Sequence, residues 1–267
     1  MPRIRDRFMT PKPIFLGPKY AEQFRDASVA AAYRKRPPYP PELFEILAGL
    51  LPIGNRCLVD LGAGTGEVAI PMSRTADVVH AVEPSPAMLA IGRRIPGSER
   101  VSWFNGSAEE FTYPRQYGLI VCAQSLGWMD WELVFPKLAR SLNPEGYLAL
   151  VEQDQLSHVA WQADLRDVVS RYSTNQDFVP FDLIEGIVDR GLFRKVGSVQ
   201  TAAVPFVQTV TDFIDSIHAR NGFSRDRMTP AAAESFDRAV RDLLTPHHPD
   251  GVLRGDIRAR VTWGRPM

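Results

Sequence analysis

A short apolar segment that runs into three closely spaced glycines constrains this chain most strongly. Residues 57–66 read Cys-Leu-Val-Asp-Leu-Gly-Ala-Gly-Thr-Gly, with Gly62, Gly64 and Gly66 at alternate positions. A continuous apolar run is typical of a parallel strand buried on both faces, and glycines after it permit a tight turn and close approach to a ligand. A dinucleotide loop needs Gly-x-Gly-x-x-Gly, but Glu67 occupies the third glycine position. The spacing therefore indicates a different cofactor.

A second apolar run ends in an acidic residue. Residues 78–83 read Val-Val-His-Ala-Val-Glu, and the distance from Gly66 to Glu83 fits one crossover helix. An ionised carboxylate can accept hydrogen bonds from both hydroxyls of a ribose. Nicotinamide enzymes use the same arrangement, so Glu83 alone leaves the cofactor open.

Strand and helix signals alternate from about residue 57 to 151, which predicts an α/β fold with a parallel sheet covered on both faces. Proline at the first helical turn predicts a helix after Pro40-Pro41. The further strands expected are 101–105, one ending at Ala123, 147–152, 193–204 and 257–263, the last two being separated by a helical insert.

Asp60 with the glycines after it, and Glu83 with the residues after it, resemble motifs of class I S-adenosyl-L-methionine-dependent methyltransferases. The resemblance rests on residues 59–66, on Glu83 with the following Pro84, and on the proline-glycine turn before 147–152. It implies a Rossmann-like, seven-stranded, mostly parallel sheet of order 3-2-1-4-5-7-6 in one domain. Residues 1–54 would form an N-terminal helical lid, 55–154 the cofactor-binding core, 155–252 a substrate-shaping helical insert and 253–267 the closing edge strand.

The resemblance also implies which residues hold S-adenosyl-L-methionine. The contacts are expected from Asp60, Gly62, Ala63, Gly64, Gly66, Glu83, Pro84, Met88, Ser107, Ala108, Glu109, Ala123 and Gln124. Ser107 and Glu110 also fit a capping box at an ordinary helix start. In the run Tyr-Arg-Lys-Arg-Pro-Pro at 33–38, Arg36 resembles an arginine near the methionine end of the cofactor. Arg36 is expected either to pair with the cofactor carboxylate or to belong to a solvated basic cluster.

Methyl transfer from a sulfonium needs alignment and exclusion of water more than reactive side chains. Aromatic faces tolerate a cationic sulfonium, and they predict Tyr33 as a cofactor contact and Tyr20 and Trp128 as substrate contacts; packing of helices is the alternative for each. If an acceptor must lose a proton, His158 is the candidate general base. A structural histidine is the competing interpretation.

Charge and cysteine content restrict the partners. The chain of 267 residues carries 31 basic and 31 acidic side chains, which argues against nucleic acid. Two cysteines in neighbouring strands are expected to be reduced, no metal site is expected, and the absence of a signal peptide core or membrane-length run predicts a cytoplasmic protein.

A base-methylating tetrad of the Asn/Asp-Pro-Pro-aromatic kind is absent after Ala123, where Gln-Ser-Leu-Gly stands. The sequence therefore predicts methylation of N or O on a small organic molecule. A non-catalytic S-adenosylmethionine-binding protein and an NAD-dependent oxidoreductase are the alternatives. The sequence gives no oligomeric state.

Overall fold

A computed structural model describes residues 11–155 and 159–267 of the chain. Its strands are β1 (Cys57–Leu61), β2 (Val78–Glu83), β3 (Val101–Asn105), β4 (Tyr117–Ala123), β5 (Leu142–Gln155), β6 (Phe193–Gln200), β7 (Val204–Thr209) and β8 (Val252–Pro266). Its α-helices are α1 (Pro18–Ala21), α2 (Ala27–Tyr33), α3 (Glu42–Leu50), α4 (Ala69–Met72), α5 (Pro86–Gly92), α6 (Trp131–Ser141), α7 (Gln162–Tyr172), α8 (Leu183–Asp189), α9 (Val210–His218) and α10 (Pro230–Leu244).

The described strands form one sheet of order β3-β2-β1-β4-β5-β8-β6, with β7 also paired to β8. The first five strands of this order are parallel to one another, and β8 is antiparallel to β5, β6 and β7. The predicted Rossmann-like sheet and its strand order are therefore confirmed. The closing strand is β8, which lies between β5 and the strands β6 and β7 and is not the edge strand that was expected at 253–267.

The sheet contains one strand more than the seven expected, because the predicted strand 193–204 is two strands. β6 ends at Gln200, and β7 begins at Val204 and includes Pro205. β8 is 15 residues long, so its C-terminal part pairs with β6 and its N-terminal part with β7. Proline lacks a backbone donor and is tolerated in such an edge strand.

β5 begins earlier than the sequence predicts. The expected turn at 142–146 lies inside the strand Leu142–Gln155. There the register with β4 shifts between Tyr117 and Leu119, which pair with Leu142 and Tyr147. The turn residues therefore form an irregular stretch at the start of β5, and regular pairing begins at Tyr147 as expected.

Helix starts follow the capping residues that the sequence supplies. The Ser85 hydroxyl accepts a hydrogen bond of 3.4 Å from the Met88 N–H at the start of α5, and Pro86 occupies the first helical turn. The Thr229 hydroxyl likewise accepts from the Ala232 N–H at 3.2 Å, ahead of α10. These caps fix where the chain leaves each preceding loop.

Apolar side chains cover both faces of the sheet, and the insert has a core of its own. Helix α3 buries Leu43 and Leu47 against one face, whereas α6 buries Phe135 and Leu138 against the other. The insert core joins α7, α9 and α10 around the fully buried Phe236. The parallel strands therefore lie between two apolar layers, as their continuous apolar sequences predict.

The N-terminal helices pack against the insert. The Gln23 side-chain oxygen accepts from the Gly222 N–H at 2.9 Å, and the Asn221 amide donates to the Tyr20 carbonyl at 2.7 Å. Arg227 forms two hydrogen bonds to the Asp26 carboxylate, at 2.6 and 3.1 Å. The insert thus holds the N-terminal segment, residues of which lie at the carboxyl ends of β1, β2 and β4, where open α/β sheets bind ligands.

None of the helices in the described part of the chain has the length and apolarity needed to cross a membrane.

Candidate cofactor and active site

A cavity of about 740 Å³ lies at the carboxyl ends of β1, β2 and β4, beneath the N-terminal helices. Most of the residues predicted to hold the cofactor line it. They are Tyr33, Arg36, Gly62, Gly64, Glu83, Pro84, Met88, Ser107, Ala108, Glu109, Ala123 and Gln124. The sequence motifs, which come from separate segments, therefore converge on one space.

The glycine loop has a left-handed backbone at all three alternate positions, with φ of 72° at Gly62, 60° at Gly64 and 95° at Gly66. A Cβ on Gly62 would lie 2.5 Å from Ser125 Cβ, and one on Gly64 would lie 3.0 Å from Tyr33 Cε1. Larger residues are excluded there by both backbone conformation and space.

Gly66 has a different role from the other two glycines. It lies outside the lining of the described cavities, and a Cβ there would come within 2.8 Å of both Ile70 and Trp103. Its small size allows the loop to pack against α4 and β3. Gly66 thus affects the conformation of the loop through packing on the side away from the cavity.

Glu83 lies at the end of β2, is 5% exposed and lines the cavity. Its two carboxylate oxygens accept hydrogen bonds of 2.8 Å from the N–H groups of Gly64 and Ser85. Burial raises the pKa of Glu83 to about 7, and the two N–H donors oppose that rise. The carboxylate is held rigidly, while the remaining lone pairs can accept further hydroxyl donors.

A smaller cavity of about 180 Å³ adjoins the glycine loop, and Asp60, Ala63 and Glu67 line it. Asp60 Oδ2 accepts from the Ala69 N–H at 3.1 Å, whereas Asp60 Oδ1 is buried with no hydrogen-bond partner among the described residues. Burial first, and then the nearby Glu67, raise the pKa of Asp60 to about 8. A polar atom without a partner beside a cavity fits a polar ligand group.

Tyr33 and Arg36 connect the two cavities, because both residues line each of them. The Arg36 guanidinium lies 5.0 Å from the centre of the Tyr33 ring and donates to the Gln124 side-chain oxygen. Burial raises the pKa of Tyr33 to about 12, so its hydroxyl is protonated at neutral pH. The alternatives for Arg36 were a contact with the cofactor carboxylate and a solvated basic cluster. The Arg36 side chain lines the cavity, where a cofactor contact is possible.

The segment after β3 lines the cavity and also makes the hydrogen bonds of a capping box, although no helix follows it directly among the described residues. Ser107 and Ala108 line the cavity. The Ser107 N–H also donates to Glu110 at 3.1 Å, and the Glu110 N–H donates to the Ser107 hydroxyl at 3.3 Å, which is the reciprocal pattern of a capping box. The pair closes a turn, and no regular helix follows it within the described chain.

The two predicted substrate contacts have different positions. Trp128 is half-buried, lines the cavity and lies 5.2 Å from the Phe24 ring. Tyr20, in contrast, is 3% exposed, its hydroxyl donates to Asp177 at 2.5 Å, and it is absent from the cavity lining of the described chain. The structure thus gives Tyr20 the packing role that was its alternative.

The candidate base His158 lies outside the described residues, so its relation to the cavity stays a prediction.

Sequence reasoning missed the far end of the cavity, which is lined by Lys12, Met129, Trp131 and Arg190. These residues come from the N-terminal segment, from the loop after β4 and from the end of α8. No motif unites them, because only tertiary packing brings the segments together. The aromatic pair Trp128 and Trp131 near the ligand edge of β4 was the available signal.

The sequence predicts two reduced cysteines and no metal site. Cys57 and Cys122 are both free thiols, on the neighbouring strands β1 and β4. Across residues 11–155 and 159–267, no group of three or more His, Cys, Asp or Glu side chains is placed to hold a metal ion.

Comparison with known proteins agrees with this geometry. Residues 58–146 match a family described as "Methyltransferase domain". An uncharacterized methyltransferase of Mycobacterium tuberculosis is 35% identical over 148 residues, which cover 54% of this chain and 58% of that protein. The chain thus matches little more than half the length of this relative.

Two more distant proteins cover more of the chain. Malonyl-[acyl-carrier protein] O-methyltransferase of Priestia megaterium is 23% identical over 208 residues, 72% of this chain and 76% of that protein. A methyltransferase of Geobacter sulfurreducens, solved with S-adenosyl-L-homocysteine, superposes with a TM-score of 0.51 at 17% identity, over 90% of this chain and 97% of the other. At this identity the superposition shows the fold.

The sheet order, the glycine loop and the family match define an α/β protein of the Rossmann-like methyltransferase fold. Residues 58–146 match the methyltransferase domain family, and the chain has the fold of class I S-adenosyl-L-methionine-dependent methyltransferases.

Proposed function

We propose that this protein transfers the methyl group of S-adenosyl-L-methionine to an N or O atom of a small organic molecule. The observation that carries the proposal is the position of Glu83, whose buried carboxylate lines the large cavity beside the glycine loop. A carboxylate in that position suits the two hydroxyls of a ribose.

The residues present fit such a cofactor. Gly62 and Gly64 leave a cradle that a Cβ would fill, and the Asp60 oxygen without a partner adjoins the smaller cavity. In our proposal Glu83 binds the ribose, Ser107 and Ala108 bind the adenine, and Arg36 binds the methionine carboxylate. Met88, Glu109 and Ala123 complete the contacts from the cavity wall.

The bound cofactor would supply a methyl group activated by a positive sulfonium. Residues of this chain then have to align the acceptor and exclude water. The lid at 1–54 and the insert at 155–252 are proposed to do so, which is supported by the hydrogen bonds between Gln23 and Gly222 and between Asn221 and Tyr20. Trp128 is proposed to contact the acceptor, and His158 to take a proton from it when the acceptor must lose one.

The small-molecule acceptor is supported by the equal numbers of acidic and basic side chains and by the volume of the cavity, about 740 Å³. The Priestia relative is named an O-methyltransferase, which agrees with oxygen as one acceptor atom. A cytoplasmic location belongs to the same proposal.

The test is incubation of the protein with cofactor labelled in its methyl group and a panel of small amines, phenols and carboxylic acids. Label in the organic extract, dependent on protein, is the expected result. Binding of S-adenosyl-L-homocysteine with no labelled product from any acceptor would instead favour the non-catalytic binding protein.

A further inference from the structure

The far end of the large cavity carries two cations, Lys12 and Arg190, among the carboxylates of Glu109, Asp130 and Glu132. Lys12 and Arg190 both line it, with the Lys12 ammonium 5.3 Å and the Arg190 guanidinium 5.7 Å from the centre of the Trp131 ring. Trp131 is 1% exposed, and its indole N–H is already bonded to the Leu126 carbonyl at 2.9 Å. The ring is therefore packed beneath the two cations, which it holds at the cavity wall.

The acidic residues around this end have protein partners. Glu132 accepts from Arg190 at 2.5 Å. Asp130 caps α6 by accepting from the N–H groups of Glu132 and Leu133, at 3.0 and 3.2 Å. Glu109 accepts from the Asp130 N–H at 2.6 Å. The carboxylates thus stabilise the local backbone and Arg190.

Lys12 differs from these groups. Its ammonium donates to the Met129 carbonyl at 2.7 Å, and within the described part of the chain no carboxylate lies in ion-pair contact with it. An ammonium has three N–H donors. Burial lowers the pKa of Lys12 to about 8, with Arg190 acting in the same direction and Asp130 and Glu109 opposing it. The cation is partly desolvated and has donors left for a ligand.

We propose that Lys12, beside Trp131 and Arg190, recognises a carboxylate on the methyl acceptor, whose flat apolar body packs against the half-buried Trp128. The inference rests on the proposed function, because it assigns the acceptor of the same site. A carboxylate at this place accepts charge-assisted hydrogen bonds from the Lys12 ammonium. Lys12 is a specificity-determining residue in this proposal.

The experiment measures binding to the full-length protein saturated with S-adenosyl-L-homocysteine. The probes are matched pairs of carboxylate and amide: benzoate with benzamide, 4-hydroxybenzoate with 4-hydroxybenzamide, and indole-3-acetate with indole-3-acetamide. At least one carboxylate is expected to bind about tenfold more tightly than its amide at pH 7. Equal affinity within every pair, or binding by none, overturns the proposal.

The variant Lys12→Met should remove the preference for the carboxylate, and Lys12→Arg should keep it. Lys19→Met is the matched control, because Lys19 also lies over an aromatic ring, that of Tyr20 at 5.1 Å, but outside the cavity lining. A preference that survives in Lys12→Met contradicts the proposal. Affinity for S-adenosyl-L-homocysteine should stay within twofold in all three variants, and failure of the wild-type protein to bind that nucleotide would instead refute the proposed function.

A pH titration of the wild-type protein gives a test that needs no variant. Because the pKa of Lys12 is about 8, its positive charge is lost as the pH rises past that value. Carboxylate binding should weaken about tenfold between pH 7 and 9, whereas amide binding should not change. Parallel pH dependence of the two probes would overturn the assignment.

Discussion

The Glu83 carboxylate accepts a hydrogen bond of 2.8 Å from the backbone N–H of Gly64. The end of β2 is thereby tied to the glycine loop that follows β1. The other oxygen of Glu83 accepts from the Ser85 N–H, so the carboxylate cannot turn away from the cavity. A group held in this way is preorganised for a ligand and loses little conformational freedom when one binds.

Replacing Glu83 should weaken cofactor binding. In Glu83→Gln the negative charge is lost and one carboxylate oxygen becomes an amide donor, which faces the N–H group of either Gly64 or Ser85. We expect the affinity for S-adenosyl-L-homocysteine, measured by calorimetry, to fall at least about tenfold, as loss of a charge-assisted hydrogen bond implies. Glu234→Gln, on the exposed face of α10, is the control and should bind as the wild type does.

A side chain at Gly64 should also impair binding. A Cβ would lie 3.0 Å from Tyr33 Cε1 and 3.2 Å from Glu67 Oε2, on a backbone with φ of 60°. Gly64→Ala should therefore lower both the affinity for S-adenosyl-L-homocysteine and the melting temperature. Gly49→Ala provides the contrast, because Gly49 lies in α3 with open space around it, and alanine there favours the helix by up to about 1 kcal/mol. Equal effects of the two substitutions would show that the loop is not constrained as described.

Asp60 should make stability depend on pH. Its pKa rises from 3.8 to about 8 on folding, so between these values the folded protein keeps a proton that the unfolded chain releases. This contribution is complete at low pH and is lost as the pH rises towards 8, by up to about 1.4 kcal/mol per pH unit. Denaturant unfolding at pH 5 to 8 should therefore show a wild-type stability that falls relative to Asp60→Asn as the pH increases.

The control for Asp60 is Asp164→Asn, at an exposed position of α7. Its difference from the wild type should be constant over the same pH range. A constant difference for Asp60→Asn as well would mean that Asp60 is ionised in the folded protein.

His158 is expected to act in turnover and not in cofactor binding. If it removes a proton from the acceptor, His158→Gln should lower kcat by about 10²-fold or more. The affinity for S-adenosyl-L-homocysteine should be unchanged. His247→Gln, at an exposed histidine, is the control for histidine loss. Full activity of His158→Gln would remove the base assignment and leave alignment as the main contribution.

The core of the fold could be predicted because its signals are local. The apolar runs of β1, β2 and β4 and the glycines after β1 each lie within a few residues, and parallel strands bring their ends to one edge. For this reason the sequence alone assigns Glu83 and Gly64 to one site, and their hydrogen bond agrees with that assignment.

The features that the sequence did not predict depend on contacts between residues far apart in the chain. β7 exists because β8 is long enough to pair with two strands on one side, which the sequence around Pro205 does not indicate. Tyr20 was expected at the cavity, but its hydroxyl bonds to Asp177, which is 157 residues away in the chain. The convergence of Lys12 and Arg190 on Trp131 likewise has no local signature.

The most direct test of the central claim is a crystal structure of the protein with S-adenosyl-L-homocysteine. We predict that the nucleotide occupies the cavity of about 740 Å³, with its ribose hydroxyls about 2.7 Å from the Glu83 carboxylate and its amino-acid end at Gly62 and Gly64. An empty cavity in crystals soaked with saturating nucleotide, or a nucleotide bound away from Glu83, would contradict the account.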